Sequence, residues 1–137
     1  MTDVFDTKKR SEIMSSVKNK DTKPELIVRK LLHSMGYRFR LHRKDLPGSP
    51  DIVLPKYKVV IFVHGCFWHG HEGCPRAKLP KTNTEFWEVK ITKNMARDAE
   101  GVQNLSKMGW KSLVIWTCEI RDLEELSKKI KYFLSND

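Results

Sequence analysis

The residues best equipped for chemistry lie together in one stretch, His64-Gly65-Cys66-Phe67-Trp68-His69-Gly70-His71-Glu72-Gly73-Cys74. It holds three of the five histidines, two of the three cysteines and an adjacent Phe-Trp pair. Thiolates and imidazoles are zinc ligands, and imidazole transfers protons near neutral pH. Exposed aromatic rings stack on bases or wedge between base pairs. The stretch follows directly on the apolar run Val59-Val60-Ile61-Phe62-Val63, which has the composition of a buried strand.

Cys66, His71 and Cys74 have the spacing C-x4-H-x2-C, and the remaining cysteine, Cys118, ends a second apolar run over 110–116. If those two strands are neighbours, Cys118 reaches Cys66. Three thiolates and one imidazole then make a closed tetrahedral set, the pattern of structural zinc, with no position open for catalysis. The alternative is buried free thiols beside surface histidines. With His71 assigned to zinc, His64 and His69 remain. Asp51 is expected across a hairpin from His64. A carboxylate and two histidines at a sheet edge suit Mg2+ binding and proton transfer in phosphodiester hydrolysis. Asp98, on a long predicted helix, is expected to accept an N–H from His69 and fix its tautomer. Taken singly, each pairing reads equally well as a surface hydrogen bond; only their convergence on one site separates the readings. Phe67 and Trp68 likewise have two readings, as DNA-facing aromatics or as a cap over the core.

The positioning elements are marked by their ends. Thr22 and Glu25 are spaced as a capping box, with Pro24 in the first turn and Gly36 as the stop, which predicts a helix over 23–35. Capping alone accounts for Glu25, and a role at a metal site would be additional. Strands are expected over 37–41, 51–54, 58–63 and 110–116, with Leu46-Pro47-Gly48-Ser49-Pro50 as a rigid loop. Thr82 and Glu85 predict a second capping box, opening a helix that ends near Met108. Trp87, Ile91, Met95, Val102 and Leu105 are its expected inner face, and Lys90, Lys93 and Arg97 share another. Asp122 and Glu125 open a C-terminal helix with Leu123, Leu126, Ile130 and Phe133 inward. Ile13, Met14 and Val17 predict a short basic N-terminal helix, an arm over 1–20 that would order on a partner. The element order gives an α/β domain over 21–137 with a mixed central sheet.

The chain has 137 residues, 26 Lys+Arg against 17 Asp+Glu, and a formal charge of +9. That charge favours a polyanionic partner, nucleic acid first. No apolar run is long enough to span a bilayer, and the N-terminus lacks a signal-peptide core, so a cytoplasmic location is expected.

These residues resemble the Vsr family, the very-short-patch-repair DNA mismatch endonucleases. The resemblance is carried by Arg10-Ser11 with Met14, Asp21-Thr22, Leu46 to Asp51, Val60 to His69, Thr84-Glu85-Phe86-Trp87, Lys90-Ile91 with Asn94, Arg97-Asp98 and Gly109-Trp110. It implies a single-domain restriction-endonuclease-like core and a strand-specific nick 5′ of the thymine in T:G mismatches left by 5-methylcytosine deamination. It implies Mg2+, as a pair of ions, bound by Asp51 and the Val63 carbonyl. His69 would be the general base, Asp98 its orienting partner and His64 a phosphate stabiliser, with Glu25 supporting metal-bound waters. Cys66, His71, Cys74 and Cys118 would hold zinc. Phe67, Trp68 and Trp87 would wedge into the duplex, and Met14 would approach the minor groove. For Trp87 this conflicts with the inner-face assignment. A functional link to a cytosine-5 DNA methyltransferase is implied, assistance by mismatch-repair proteins is left open, and a single nick fits a monomer. Val63 stands where a hydroxyl residue is expected in the family, and Phe62-Val63-His64 replaces the acid-x-Lys element of ordinary restriction enzymes. The alternatives are a nickase of other specificity and a zinc-stabilised DNA-binding module without catalysis.

Overall fold

The computed structural model describes residues 22–135. The expected N-terminal arm, with Met14, lies outside them. In chain order the elements are α1 (Lys23–Ser34), β1 (Arg40–Leu41), β2 (Ile52–Leu54), β3 (Val59–His64), α2 (Thr84–Lys107), β4 (Lys111–Trp116) and α3 (Leu123–Ser135). The sheet order is β1-β2-β3-β4, with β1 and β2 antiparallel to their neighbours and β3 parallel to β4. This is the α/β architecture with a mixed sheet that the element order predicted.

The central strands are apolar throughout because both sheet faces are covered. Alternation along β3 divides the core. Val59 and Ile61 join Ile52, Leu54, Leu113 and Ile115 under Val28 and Leu32 of α1 and Leu126, Ile130 and Leu134 of α3. Val60 and Phe62 turn the other way, to Leu46, Val53, Trp110 and Leu105 of α2. On that parity His64 leaves β3 on the α2 side, buried at 7 % exposure.

Gly101 lies inside a 24-residue helix, where glycine costs about 1 kcal/mol relative to alanine. The sheet-facing loop accounts for it. A Cβ on Gly101 would sit 2.9 Å from the Cα of Gly48, whose own φ is +79°. The close crossing presses the loop before Asp51 against the helix that carries Asp98.

Several expected details differ. The strand over 37–41 shortens to Arg40–Leu41, and Tyr37 and Phe39 pack against the core as irregular chain. The helix α2 starts at Thr84 with Asn83, rather than Thr82, at its N-cap. Asn83, in the left-handed region, precedes the helix, and the Thr84 hydroxyl donates to the carbonyls of Pro80 and Lys81. Of the expected inner face of α2, Ile91 and Leu105 are buried, but Met95 is exposed and Trp87 belongs to neither core cluster. In α3, Leu134 takes the buried position that Leu123 was expected to share. The Thr22 and Asp122 caps are present, each side chain accepting an N–H three residues on.

Candidate active site and metal centre

Parallel pairing of Val63 with Ile115 and His64 with Trp116 brings the ends of β3 and β4 side by side. The two chains then diverge into the loop of Cys66–Cys74 and the short helical turn Thr117–Arg121. Cys66, His71, Cys74 and Cys118 converge there, with ligand atoms all within 4.8 Å of one another. Cys118 Sγ lies 3.5 Å from His71 Nδ1, and the His71 ring stacks on Trp116 at 4.1 Å. The donor set suits zinc. Burial, then the crowding of Cys66 and Cys74, pushes the Cys118 thiol up to about 11. Burial also opposes ionisation of Cys66, but hydrogen bonds from Thr117, the Cys118 backbone and His71 outweigh it and bring that thiol down to about 6. One thiolate thus forms readily and discourages the next, a conflict that a bound dication removes.

The loop is fastened on its far side to α2. Gly70 has φ +63°, and a Cβ there would meet Met95 Sδ at 2.6 Å and Ile91 at 2.9 Å. Asn94 donates to the Trp68 carbonyl at 2.9 Å. In the turn that carries Cys118, Glu119 accepts from the Trp116 N–H and from Lys129 of α3, tying that turn to two elements.

On the other side of His64 a cleft of about 1030 Å3 runs between α1, the loop before β2 and α2. Glu25, Asp51, Val63, His64, Trp68, His69, Lys90, Arg97 and Asp98 all line it. Lys93, on the same helix, is exposed but is not part of that lining. Asp98 Oδ2 lies 2.6 Å from His69 Nδ1, the contact expected from the sequence. The His69 ring stacks face to face on His64, centroids 3.8 Å apart and planes within 5°. Burial and then the neighbouring His69 hold His64 down to about 4, against the pull of Asp98, so His64 is neutral at pH 7.

Asp51 is not opposite His64, as the hairpin reading expected. The register pairs Ile52 with Ile61, so Asp51 donates its N–H to the Ile61 carbonyl at 3.1 Å. Its carboxylate accepts the Val63 N–H at 2.7 Å. Its partners are Glu25 and His42, the three ligand atoms lying within 4.8 Å of one another. Burial, then the Glu25 carboxylate, raises Asp51 to about 6. Two carboxylates crowded at the edge of the core fit a hard dication with oxygen ligands.

The raised value carries a stability consequence. Between the ordinary carboxyl value of 3.8 and about 6 the folded chain binds the Asp51 proton more tightly than the unfolded chain. Its contribution to stability therefore falls as pH rises through that window, and the full cost is present above it. Asp51→Asn, which keeps an acceptor for the Val63 N–H, is expected to raise the melting temperature at pH 7 without added divalent ion. The gain should vanish near pH 4. A variant melting at or below wild type at pH 7 would contradict it. His64 acts in the opposite sense in both proteins and cancels in the comparison.

Phe67, Trp68 and Trp87 form an edge-to-face triad with centroids 5.3 to 5.7 Å apart. All three are half-buried. They pack on one another rather than in the core, which corrects the inner-face reading of Trp87. Sequence reasoning missed His42, Arg29 and Trp116. Arg29 stands four residues from Glu25, a helical spacing that could have found it, whereas only long-range pairing brings in His42 and Trp116.

A basic cleft with paired carboxylates and an Asp–His pair, braced by a thiolate centre, is the make-up of an enzyme that hydrolyses phosphodiesters in nucleic acid. A family model described as DNA mismatch endonuclease Vsr matches residues 2–76. The Type II nicking enzyme V.XorIIP of Xanthomonas oryzae pv. oryzae is 51% identical over 134 residues, covering 98% of each chain. The Type II nicking enzyme V.NmeAIP of Neisseria meningitidis is 51% identical over 122 residues, 89% of this chain and 86% of its own. The DNA mismatch endonuclease Vsr of Escherichia coli is 43% identical over 127 residues, 93% of this chain and 81% of its own. The chain belongs to the Vsr family and is a DNA nicking endonuclease.

Proposed function

We propose that this endonuclease nicks the strand 5′ of the thymine in T:G mismatches produced by deamination of 5-methylcytosine, and that it requires Mg2+. The observation that carries the reading is the single cleft shared by Asp51, the His69–Asp98 pair and Trp68 of the aromatic triad. The Escherichia coli relative, named as a mismatch endonuclease, supports it. Asp51 and the Val63 carbonyl would hold Mg2+, whose chemistry when bound is Lewis-acid activation of the scissile phosphate. His69 presents Nδ1 to Asp98, so Nε2 is the nitrogen that takes a proton from the attacking water, and Asp98 stabilises the imidazolium that results. Neutral His64 contributes an N–H donor to a phosphate oxygen rather than a fixed positive charge. Lys90 and Arg97 contact backbone phosphates from the cleft wall, so affinity falls as salt rises.

A T:G wobble pair is cheaper to open than a matched pair, and half-exposed rings beside the cleft are placed to exploit that. Strand-specific nicking of duplexes differing only in T:G against C:G, across a panel of cytosine-methyltransferase sites, tests the reading. Cutting confined to the thymine strand of T:G duplexes is expected. Trp68→Ala should lower T:G nicking about tenfold or more, since stacking contributes ~1–3 kcal/mol per base. Its melting temperature should stay within a few degrees of wild type. Undiminished discrimination would remove the wedge role. The two relatives at 51% identity are named as nicking enzymes without mention of mismatches, which favours a second reading as a nickase of other specificity. Equal cutting of T:G and C:G duplexes would establish that one.

A further inference from the structure

Glu25 is an acid buried to 1 % exposure in the first turn of α1. Its N–H is capped by Thr22, but its carboxylate faces elsewhere. Arg29, one helical turn on, donates Nη2 to Glu25 Oε2. The same guanidinium nitrogen is 3.1 Å from His42 Nε2, which is itself 3.2 Å from Glu25 Oε2. Two side chains from separate parts of the chain therefore close on one carboxylate oxygen. His42 is fixed from behind. It adopts φ +49° just after β1, and its N–H donates to the Asp51 carbonyl at 3.3 Å. The residue that touches Glu25 is thus anchored through its backbone to the residue beside which Glu25 must stand.

We propose that Arg29 and His42 are positioning residues that hold the Glu25 carboxylate against Asp51 and thereby set the affinity of that site for a divalent cation. This rests on the reading of Asp51 as a metal ligand. A carboxylate beside a second carboxylate in a buried site is repelled from it. The Arg29 charge offsets that repulsion, and contacts from two directions fix the orientation of the group. Losing such a supporting partner typically costs 10- to 100-fold in metal affinity.

The test is Mn2+ binding to the zinc-loaded full chain without DNA, followed by the electron paramagnetic resonance signal of free Mn2+, with melting temperatures measured alongside. R29M and H42Q are each expected to weaken binding about 10- to 100-fold, and E25Q to do the same. E25Q/R29M and E25Q/H42Q should bind no more weakly than E25Q alone, because the two residues act through Glu25. Losses that add in the double variants, or wild-type binding by R29M and H42Q, would overturn the proposal. Where R29M fails to fold because Glu25 is left uncompensated, H42Q and E25Q/H42Q carry the test, since H42Q leaves the Arg29–Glu25 ion pair in place. D51A reports on the underlying reading by itself. Wild-type Mn2+ binding by D51A would remove Asp51 as a ligand, whereas loss in D51A with full binding by R29M and H42Q would spare Asp51 and remove only the positioning role.

Discussion

Replacing Asp51 with alanine is expected to abolish nicking while DNA binding survives. Asp51 joins the two functions of its corner. Its carboxylate takes the Val63 N–H at 2.7 Å, which aligns the end of β3, and burial, then crowding by Glu25, holds it near 6. In the proposed mechanism it is also the one side chain bound directly to Mg2+. Metal stabilisation of a phosphoryl transition state contributes several kcal/mol, so its loss should lower the nicking rate by about a thousandfold or more. In the same proposal binding comes from other groups, Lys90 and Arg97 on the cleft wall and the aromatic triad, and it should change by less than about threefold at fixed salt. Single-turnover nicking and gel-shift measurements on one T:G duplex separate the two. The same carboxyl group sets a pH dependence. Because Asp51 must be ionised to hold a cation, nicking by the wild-type chain should fall as pH drops below about 6, and higher Mg2+ should move that midpoint downward. Cleavage retained in the alanine variant would end the assignment of Asp51 to the metal.

Replacing Cys118 with serine is expected to cause a large loss of stability. Cys118 comes from the turn after β4, whereas Cys66, His71 and Cys74 belong to the loop after β3. Zinc held by all four would be a cross-link between the ends of two parallel strands. A ligand bound at a thousand times its dissociation constant stabilises by about 4 kcal/mol, and about 3 °C of melting temperature accompanies each kcal/mol in a chain of this size. The serine variant should therefore melt roughly 10–15 °C lower and carry less than one equivalent of zinc by atomic absorption. The core on both sheet faces does not depend on the site, so far-ultraviolet circular dichroism should remain native at low temperature. The loop of Phe67, Trp68 and His69 would lose its anchor, and nicking should fall with it. An unchanged melting temperature in a metal-free variant would remove zinc from the account of the fold.

Local chemistry was legible in the residues alone. The Thr22 cap, the apolar runs of β2, β3 and β4, and the stop at Gly109 are set by side-chain type and short-range spacing, and the structure carries each of them. The residue types also marked Cys66, His71, Cys74 and Cys118 as a candidate thiolate and imidazole set, and the structure brings these four together. The meeting of His69 with Asp98 also followed from a strand end and a helix facing it.

Side-chain types and local spacing therefore set the inventory: which elements form, and which residues are chemically able to bind metal, move protons or stack on bases. Tertiary structure decided which of them meet. Antiparallel register, a long-range property, turned Asp51 toward Glu25 and His42 rather than His64. The same periodicity that marks a buried helix face also fits Trp87, and only the position of the loop from β3 showed that its neighbours are Phe67 and Trp68. Period and propensity describe neighbours a few residues apart. The contact of Glu25 with His42, and of Cys66 with Cys118, depends on pairing between distant segments, which no local spacing encodes.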